Sequence, residues 1–358
     1  MLTVAVIFGG RSAEHEVSLV SARCLIAALD PARFKIVPVG ITPEGRWVMP
    51  RDLDTALRDG LAGVACEPVA LFPDPTRPGF VVGDGARQVP VDCAFPVLHG
   101  PYGEDGTIQG VFELAGLPYA GAGVAASAVG MDKEFMKSLF AQAGLPQVDY
   151  LVARDRGDDI DGVLGDVENA FPYPVFVKPV NLGSSVGIAK AHDGDELRRA
   201  LVGAFAFDRK VIVEAFVDAR EIECGVLGNA RPEVSALAEV VPANEFYDYE
   251  AKYTEGMMSF VIPAGISAAQ TTEVRRLAAE AFLAIDCAGF ARCDFFVERS
   301  GGRVLVNEIN TIPGMTDMSA FPKVWEASGV PYAVLAERIV ELAMERHSLL
   351  SRLRTSRD

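Results

Sequence analysis

The sequence is poor in positive charge. It contains 33 lysines and arginines against 49 aspartates and glutamates, a formal charge of −16. Proteins that bind nucleic acid normally present a basic face to the phosphate backbone, so this balance disfavours nucleic acid as a partner. The acidity is attributed to a solvated surface rather than to a function.

Long apolar runs are also absent, since no uninterrupted stretch approaches the ~20 residues of a membrane-spanning helix. The segment from Met1 to Phe8 has no basic region before its short apolar run. It is therefore predicted to be a first strand and not a signal peptide. A cytoplasmic protein without membrane insertion is expected.

Paired C-x-x-C spacing is missing too. The six cysteines are spread along the chain, at positions 24, 66, 93, 224, 287 and 293. Neither a disulfide framework nor a cysteine metal site has this pattern, so reduced and mostly buried thiols are expected.

What the sequence does contain is enough apolar material for two or three domains, because half of its 358 residues are hydrophobic. Strand-like runs at 4–8, 35–40 and 91–98, with a helical pattern at 17–29, predict an α/β fold with a parallel sheet. A tract rich in proline, glycine and aspartate, 42–90, is interpreted as a long insertion.

Further strand and helix patterns follow. A helical stretch begins near Gly130, a strand is predicted at 174–179, and another strand, a helix and a hairpin are predicted beyond Arg220. The chain is therefore divided into three parts: 1–130, 131–219 and 220–358.

The hairpin, with strands at 289–298 and 303–310, carries the strongest chemical signal. Because side chains alternate along a strand, Arg292 and Asp294 share one face, as do Glu308 and Asn310. Pairing of the strands would group two carboxylates with an amide oxygen, a donor set suited to Mg²⁺. The alternative is a solvated strand edge with a charge pair, which the apolar neighbours disfavour.

A second signal is Lys178 at a strand end, followed by the glycine- and serine-rich loop 181–187. Backbone N–H groups in such a loop can approach phosphate, although the spacing is not that of a P-loop. Lys133 is a candidate second cation for phosphate. An ordinary loop and a solvated lysine are the alternatives, so both assignments depend on the metal site.

A third signal is the turn after the first strand, where Gly9 and Gly10 open into a helix. The third glycine of a dinucleotide fingerprint is missing, which disfavours NAD and an oxidoreductase. Glu16 lies at the helix start, where it could hold an ammonium group or act only as a helix cap; the residues leave both open.

Two polar segments complete the pattern. His99 lies in 98–107, directly after an apolar strand, where α/β sheets place ligand contacts. The aromatic-rich segment 244–254 is typical of an active-site lid. A plain surface loop is the alternative for each.

Eight segments, in order, resemble those of ATP-grasp enzymes and, more narrowly, of the D-alanine–D-alanine ligase family: FGGRSAEHEVS, PVLHGPYGEDGTIQG, MDK, FVKPVNLGSSVGI, EIECGVLGN, FYDYEAKY, ARCDFF and NEINTIPGMT. The resemblance covers nearly the whole chain except 42–90 and the C-terminal tail. It implies an ATP-grasp fold of three α/β domains with a Rossmann-like N-terminal domain, and a homodimer.

The resemblance also implies how ATP is held between the second and third domains. Nucleotide contacts would come from Lys133, Lys178, Ser185, Glu214 and Glu221. Two Mg²⁺ ions, for which Mn²⁺ can substitute, would be bound by Asp294, Glu308 and Asn310.

The implied reaction transfers the γ-phosphate of ATP to the carboxylate of one D-alanine, and the amine of a second attacks the acyl phosphate. The product, D-alanyl-D-alanine, would serve peptidoglycan synthesis. Arg292 would stabilise the oxyanion of the tetrahedral intermediate. The remaining implied residues are Glu16, Ser184 and Tyr253, which order the lid and substrates; His99 beside the first substrate; Lys252 on the lid; and Gly314 and Ser319 at the second carboxylate.

One departure from the family pattern and two alternative functions remain open. Ala320 follows Ser319 where the family usually has a larger apolar residue, which would widen the second pocket and admit D-serine or D-lactate. The aromatic lid argues against D-lactate. A non-catalytic nucleotide sensor on the same fold would require degraded chemistry, and the retained Lys178, Arg292 and Asp294 disfavour it.

Overall fold

The computed structural model describes residues 1–83, 85, 87–155, 159–183, 187–242 and 258–354. Its first sheet has seven strands in the order β6-β5-β4-β3-β2-β1-β7. The strands are β1 (Leu2–Gly9), β2 (Phe34–Ile41), β3 (Trp47–Pro50), β4 (Cys66–Leu71), β5 (Phe80–Val82), β6 (Arg87–Val89) and β7 (Cys93–Pro96). The helices of this part of the chain are α1 (His15–Ala28), α2 (Leu53–Asp59), α3 (Thr107–Leu114) and α4 (Val124–Met131).

The predicted parallel sheet is confirmed for three strands, because β1 pairs in parallel with β2 on one side and β7 on the other. The apolar run Val4 to Phe8 is completely buried at its centre. The tract 42–90 contains antiparallel strands β3 to β6, which extend this sheet. It is thus an integral sheet extension rather than only a loop-like insertion.

The second sheet is antiparallel, in the order β10-β9-β11-β8. Its strands are β8 (Tyr150–Arg154), β9 (Val175–Pro179), β10 (Ala189–Ala191) and β11 (Lys210–Ala215), and its helices are α6 (Ile160–Ala170) and α7 (Gly194–Phe205). Helix α5 (Lys133–Gln142) precedes it, capped by Asp132, whose carboxylate accepts from two backbone N–H groups.

The third sheet is also antiparallel, in the order β14-β13-β12-β15-β16. Its strands are β12 (Ala219–Gly228), β13 (Glu233–Pro242), β14 (Met258–Val261), β15 (Gly289–Glu298) and β16 (Val304–Asn310), so the predicted hairpin is present. The helices are α8 (Ala268–Ala284), α9 (Ala320–Ala327) and α10 (Tyr332–Leu350). A capping box of Ser267 and Gln270 fixes the start of α8.

The first and third sheets share one hydrophobic core. Phe95 on β7 lies 6.0 Å from Phe290 on β15, ring centre to ring centre, and Phe290 lies 5.6 Å from Phe321 on α9. The loop after β7 also contacts the segment after β16, because His99 Nδ1 lies 3.1 Å from the carbonyl oxygen of Ile312. Among the helices in the described ranges, none is both long and apolar enough to cross a membrane.

Candidate active site

A cavity of about 380 Å³ lies between the second and third sheets. Its volume is in the range of small-ligand sites. Charged side chains from both sheets line it together with aromatic rings, and they include Lys133, Lys178, Lys190, Glu214, Glu221, Arg292, Asp294, Glu308, Phe176, Phe216 and Phe295. It therefore combines apolar walls with cations and carboxylates.

The hairpin brings its four polar side chains together. Register places Arg292 opposite Asn310 and Asp294 opposite Glu308. Arg292 donates to both carboxylate oxygens of Asp294, from Nε and Nη2 at 2.7 Å each. Asn310 donates to Asp294 Oδ2 at 3.0 Å, and Glu223 Oε2 on β12 lies 3.4 Å from Arg292 Nε.

The donor set at this hairpin is two carboxylates and one amide. Within the described residues, no group of three or more histidine, cysteine, aspartate or glutamate side chains is placed to hold a metal. Asp294, Glu308 and Asn310 instead offer mixed oxygen donors, which suit a hard cation that keeps water and phosphate as other ligands.

Two lysines hold one buried glutamate at the wall of the cavity. Lys178 Nζ lies 2.5 Å from Glu214 Oε2, and Lys137 Nζ lies 2.9 Å from Oε1. Burial by itself would raise the pKa of Glu214, but the two ammonium groups outweigh it and hold this pKa below its usual range. Glu214 is therefore ionised.

Lys133 enters the same cavity from the start of α5. Its ammonium donates to the carbonyl of Leu182 at 2.8 Å and lies 3.8 Å from Glu308 Oε2. The preceding residue, Asp132, caps the helix and pairs with buried Lys210 on β11. The helix start and the second sheet thereby fix where Lys133 points.

His99, in the loop after β7, is buried beside the segment after β16. Its Nδ1 must donate to the Ile312 carbonyl at 3.1 Å, since a carbonyl only accepts. Nε2 is then the acceptor for the hydroxyl of Ser21 on α1 at 3.3 Å. Burial lowers the pKa of His99, with nearby Arg292 acting in the same direction and Glu14 opposing, which supports a neutral ring.

Glu104 lies next to His99 in this cluster. Its carboxyl accepts from Gly100 N at 2.7 Å and from Ile312 N at 3.3 Å. Burial, together with the negative charge of Glu14, raises the pKa of Glu104 to about 8. At neutral pH the carboxyl of Glu104 is therefore mostly protonated.

Glu14 and Glu16, at the start of α1, differ in their positions relative to the cluster around His99. Glu16 is exposed in the first turn of α1. Glu14 is half-buried, and its Oε2 lies within 4 Å of where a Cβ would stand on Gly100 and on Gly183. Of the two glutamates, Glu14, at the N-cap of α1, is the one that reaches the loop containing His99, since Glu16 is exposed in the first turn.

Ser319 and Gly314 lie together after β16. Ser319 precedes α9, and its hydroxyl accepts from Thr316 N at 3.2 Å and bonds the Thr316 hydroxyl at 2.8 Å. A Cβ on Gly314 would stand 2.7 Å from Ser319 Oγ, so the backbone approaches closely here. Ala320, the next residue in the chain, is buried.

Four predicted site residues lie outside the described part of the chain: Ser184, Ser185, Lys252 and Tyr253. The same holds for the predicted lid, 244–254.

Three residues of the site were missed by sequence reasoning. Lys137 could have been identified from the sequence, because it follows Lys133 by four positions and therefore lies on the same face of the helix. Glu14 and Glu104 both lie within segments already identified, FGGRSAEHEVS and GPYGEDGT, where choosing among several acidic residues requires the three-dimensional contacts.

Comparison with known proteins gives consistent results. Residues 3–122 match the family model described as D-ala D-ala ligase N-terminus, and residues 139–341 match D-ala D-ala ligase C-terminus. A D-alanine–D-alanine ligase of Heliobacterium modesticaldum is 49% identical over 99% of this chain and 98% of that protein. One of Acetivibrio thermocellus is 46% identical over 96% of each.

Two solved structures are also similar. The D-alanine-D-alanine ligase from Coxiella burnetii has a TM-score of 0.86 at 35% identity, covering 98% of this chain and 96% of its own. VanG D-Ala:D-Ser ligase from Enterococcus faecalis has the same TM-score and identity, covering 96% and 99%.

Proposed function

The chain belongs to the D-alanine–D-alanine ligase family, whose N- and C-terminal models together match most of its length, and we propose that it joins two D-alanines with ATP in the cavity described above. The observation that carries the proposal is the position of Arg292. It lines the cavity together with Lys178 and Glu214, and it holds Asp294 by two hydrogen bonds. In the proposal this guanidinium lies between the nucleotide and the amino acids.

In this proposal the cavity holds the nucleotide. Lys133 and Lys178 contact phosphate, while Glu214 and Glu221 contact the adenine and ribose. Support comes from the lining of the cavity, which combines the ammonium groups of Lys133 and Lys178 with the ring of Phe176: cations suit phosphate, and apolar walls suit a base. Ser185 is proposed to add a phosphate contact.

The hairpin residues fit a divalent cation. Asp294, Glu308 and Asn310 would hold Mg²⁺, two ions in the proposal, with Mn²⁺ as a substitute. Such an ion, when bound, neutralises charge on the phosphates of ATP. Asp294 is already paired with Arg292 and Asn310, and these contacts hold its carboxylate toward the cavity.

The amino acids would bind in the cluster beyond Arg292. Glu14, in place of Glu16, would hold the ammonium group of the first D-alanine, with neutral His99 beside it. Ser319, seated against Gly314, would donate to the carboxylate of the second. The hydroxyl geometry supports this role, because Ser319 is fixed by Thr316 at the start of α9.

In the proposed reaction one carboxylate oxygen of the first D-alanine attacks the γ-phosphorus of ATP, and ADP leaves. The ammonium group of the second D-alanine gives one proton to solvent, and the neutral amine then attacks the acyl carbon and loses a second proton to the departing phosphate as the amide forms. Phosphate departs with the original carboxylate oxygen. Arg292 would stabilise the oxyanion that forms between attack and departure, and Ser184, Tyr253 and Lys252 are proposed to order the lid that excludes water.

D-serine should also be tested as the second substrate. The structure of VanG D-Ala:D-Ser ligase is as similar to this chain as that of the D-alanine-D-alanine ligase from Coxiella burnetii, with the same TM-score. The small side chain of Ala320 after Ser319 would leave room for a hydroxymethyl group. D-lactate is less favoured by the aromatic lid sequence. A homodimer in the cytoplasm, supplying peptidoglycan precursors, is the setting that we propose.

The test is a phosphate-release assay with ATP, Mg²⁺ and each of D-alanine, L-alanine, or D-alanine mixed with D-serine or D-lactate, with products identified by mass spectrometry. D-alanyl-D-alanine from D-alanine, without product from L-alanine, is expected. A predominantly mixed product would move the assignment to the other acceptor. No turnover with any acceptor would revive the nucleotide sensor.

A further inference from the structure

Lys137 is a buried lysine behind the wall of the nucleotide cavity. It lies on α5 one turn after Lys133, and only 1% of its side chain is exposed. Its ammonium lies 2.9 Å from Glu214 Oε1 and 5.4 Å from the centre of the Tyr150 ring. Of the described residues, Glu214 and Lys178 line the cavity and Lys137 does not. Lys137 therefore lies behind the cavity wall, where its ammonium is paired with the cavity-lining Glu214.

A buried ammonium group loses its hydration, so it is stable only when it is paired. Here the pairing is unequal: one carboxylate is shared by two lysines, with Lys137 on Oε1 and Lys178 on Oε2. The three groups together carry a net charge of +1. Without Lys137, Glu214 and Lys178 would form a neutral pair.

We propose that Lys137 is a positioning residue for nucleotide phosphates, because it neutralises Glu214 from behind and so leaves the charge of Lys178 available to an anion in the cavity. The inference rests on the proposed function, in which this cavity binds ATP. It predicts that affinity for the phosphate part of a nucleotide follows the net charge of the three groups, whereas affinity for a nucleoside does not.

The experiment measures binding of ADP and of adenosine, by calorimetry, to four proteins. The summed charge of the three groups is +1 in the wild type, 0 in Lys137→Met, +2 in Glu214→Gln and +1 in the double variant. The ratio of ADP affinity to adenosine affinity cancels any direct contact between Glu214 and the base. We expect it to fall on the order of tenfold in Lys137→Met. It should return close to the wild-type value in the double variant and be highest in Glu214→Gln.

A matched control is Lys35→Met on β2, where an exposed lysine is removed far from the cavity; it changes the total charge equally and should leave the ratio unchanged. Equal losses of ADP and adenosine affinity in Lys137→Met, or a double variant with the low ratio of that single variant, would overturn the proposal. If Lys137→Met does not fold, the step from Glu214→Gln to the double variant still removes the same charge, and an unchanged ratio there would overturn it as well.

The ligation assay on the wild type separates this inference from the proposed function. Binding of ADP without dipeptide formation would contradict the ligase function. The role of Lys137 would still be tested by the ratios of ADP to adenosine affinity in the four proteins. Dipeptide formation with the wrong charge order would contradict the role of Lys137 alone. Absence of ADP binding by the wild type would overturn both.

Discussion

Arg292 holds Asp294 by two hydrogen bonds of 2.7 Å each, from Nε to Oδ1 and from Nη2 to Oδ2. Both residues lie on one face of β15, two positions apart. This pairing fixes the position of Arg292, which is proposed to stabilise the oxyanion, relative to Asp294, which is proposed to bind the metal. Loss of either side chain should therefore disturb both parts of the chemistry.

The first prediction concerns Asp294→Asn. The substitution keeps the size of the side chain but removes a charged oxygen donor and the ion pair with Arg292. We expect kcat to fall on the order of 100-fold or more and the Mg²⁺ concentration needed for half-maximal rate to rise. Steady-state kinetics over a Mg²⁺ titration measure both.

Glu298→Gln is the matched control for this variant. Glu298 lies four residues along the same strand, pairs with Arg303 at 2.6 Å and is not among the residues that line the cavity. It should retain wild-type kinetics. Equal Mg²⁺ dependence in Asp294→Asn and the wild type would contradict the metal assignment.

The second prediction distinguishes the two glutamates at the start of α1. Glu14→Gln should weaken D-alanine use, raising KM on the order of 10- to 100-fold, because a charged contact to an ammonium group is lost. Glu16→Gln should change KM by less than about twofold, since Glu16 is exposed. Kinetics with D-alanine varied at saturating ATP provide the comparison. The opposite order would restore the assignment made from the sequence.

The third prediction follows from Glu104, whose pKa is raised to about 8 from an ordinary value near 4.5. Between these two values the unfolded chain loses this proton while the folded protein keeps it, so this group lowers the free energy of unfolding as pH rises from 4.5 to 8. Glutamine has no proton to lose. Glu104→Gln should therefore gain stability relative to the wild type as pH rises, on the order of 4 kcal/mol by pH 8.

Urea unfolding at pH 5, 6.5 and 8 measures that difference. The wild-type and variant curves should converge toward pH 5 and separate toward pH 8. A difference that is constant across the three pH values would mean that Glu104 has no raised pKa.

The fourth prediction concerns Gly314→Ala. The added Cβ would stand 2.7 Å from Ser319 Oγ, so the hydroxyl must shift. We expect KM for the second D-alanine to rise roughly tenfold, because a misplaced contact weakens alignment of the substrate. Kinetics resolved into the two D-alanine binding steps report it.

Gly203→Ala is the control, because a Cβ on this exposed residue of α7 meets nothing within 4 Å. It should leave the kinetics unchanged and stabilise the helix by about 0.5 to 1 kcal/mol. If Gly314→Ala behaves like Gly203→Ala, then Ser319 does not hold the second substrate.

The sequence predicts the hairpin well for a physical reason. Strand alternation has a period of two, so the shared faces of Arg292 with Asp294 and of Glu308 with Asn310 follow from counting along each strand. The parallel strands at the start of the chain can also be predicted from the sequence, because β1 is a continuous apolar run of the kind found in buried parallel sheets.

Other features of the fold and the site depend on tertiary contacts, which cannot be predicted from residue spacing alone. The short strands β3 to β6 lack a long alternating pattern, so 42–90 resembled an insertion although it extends the sheet. Glu14 and Glu16 are separated by one residue in one motif, and only the direction in which α1 begins places Glu14 at the site. The proposed role of Lys137 depends on its ion pair with Glu214, which lies 77 positions later in the chain and is brought close only by the tertiary fold.

The most direct test of ligation through an acyl phosphate uses D-alanine with both carboxylate oxygens replaced by ¹⁸O, in unlabelled water with unlabelled ATP. Attack of the carboxylate on ATP predicts one ¹⁸O in each phosphate released, together with D-alanyl-D-alanine that keeps three labelled oxygens. Phosphate that carries no ¹⁸O would show that its oxygen came from water, and would contradict the reaction proposed for this site.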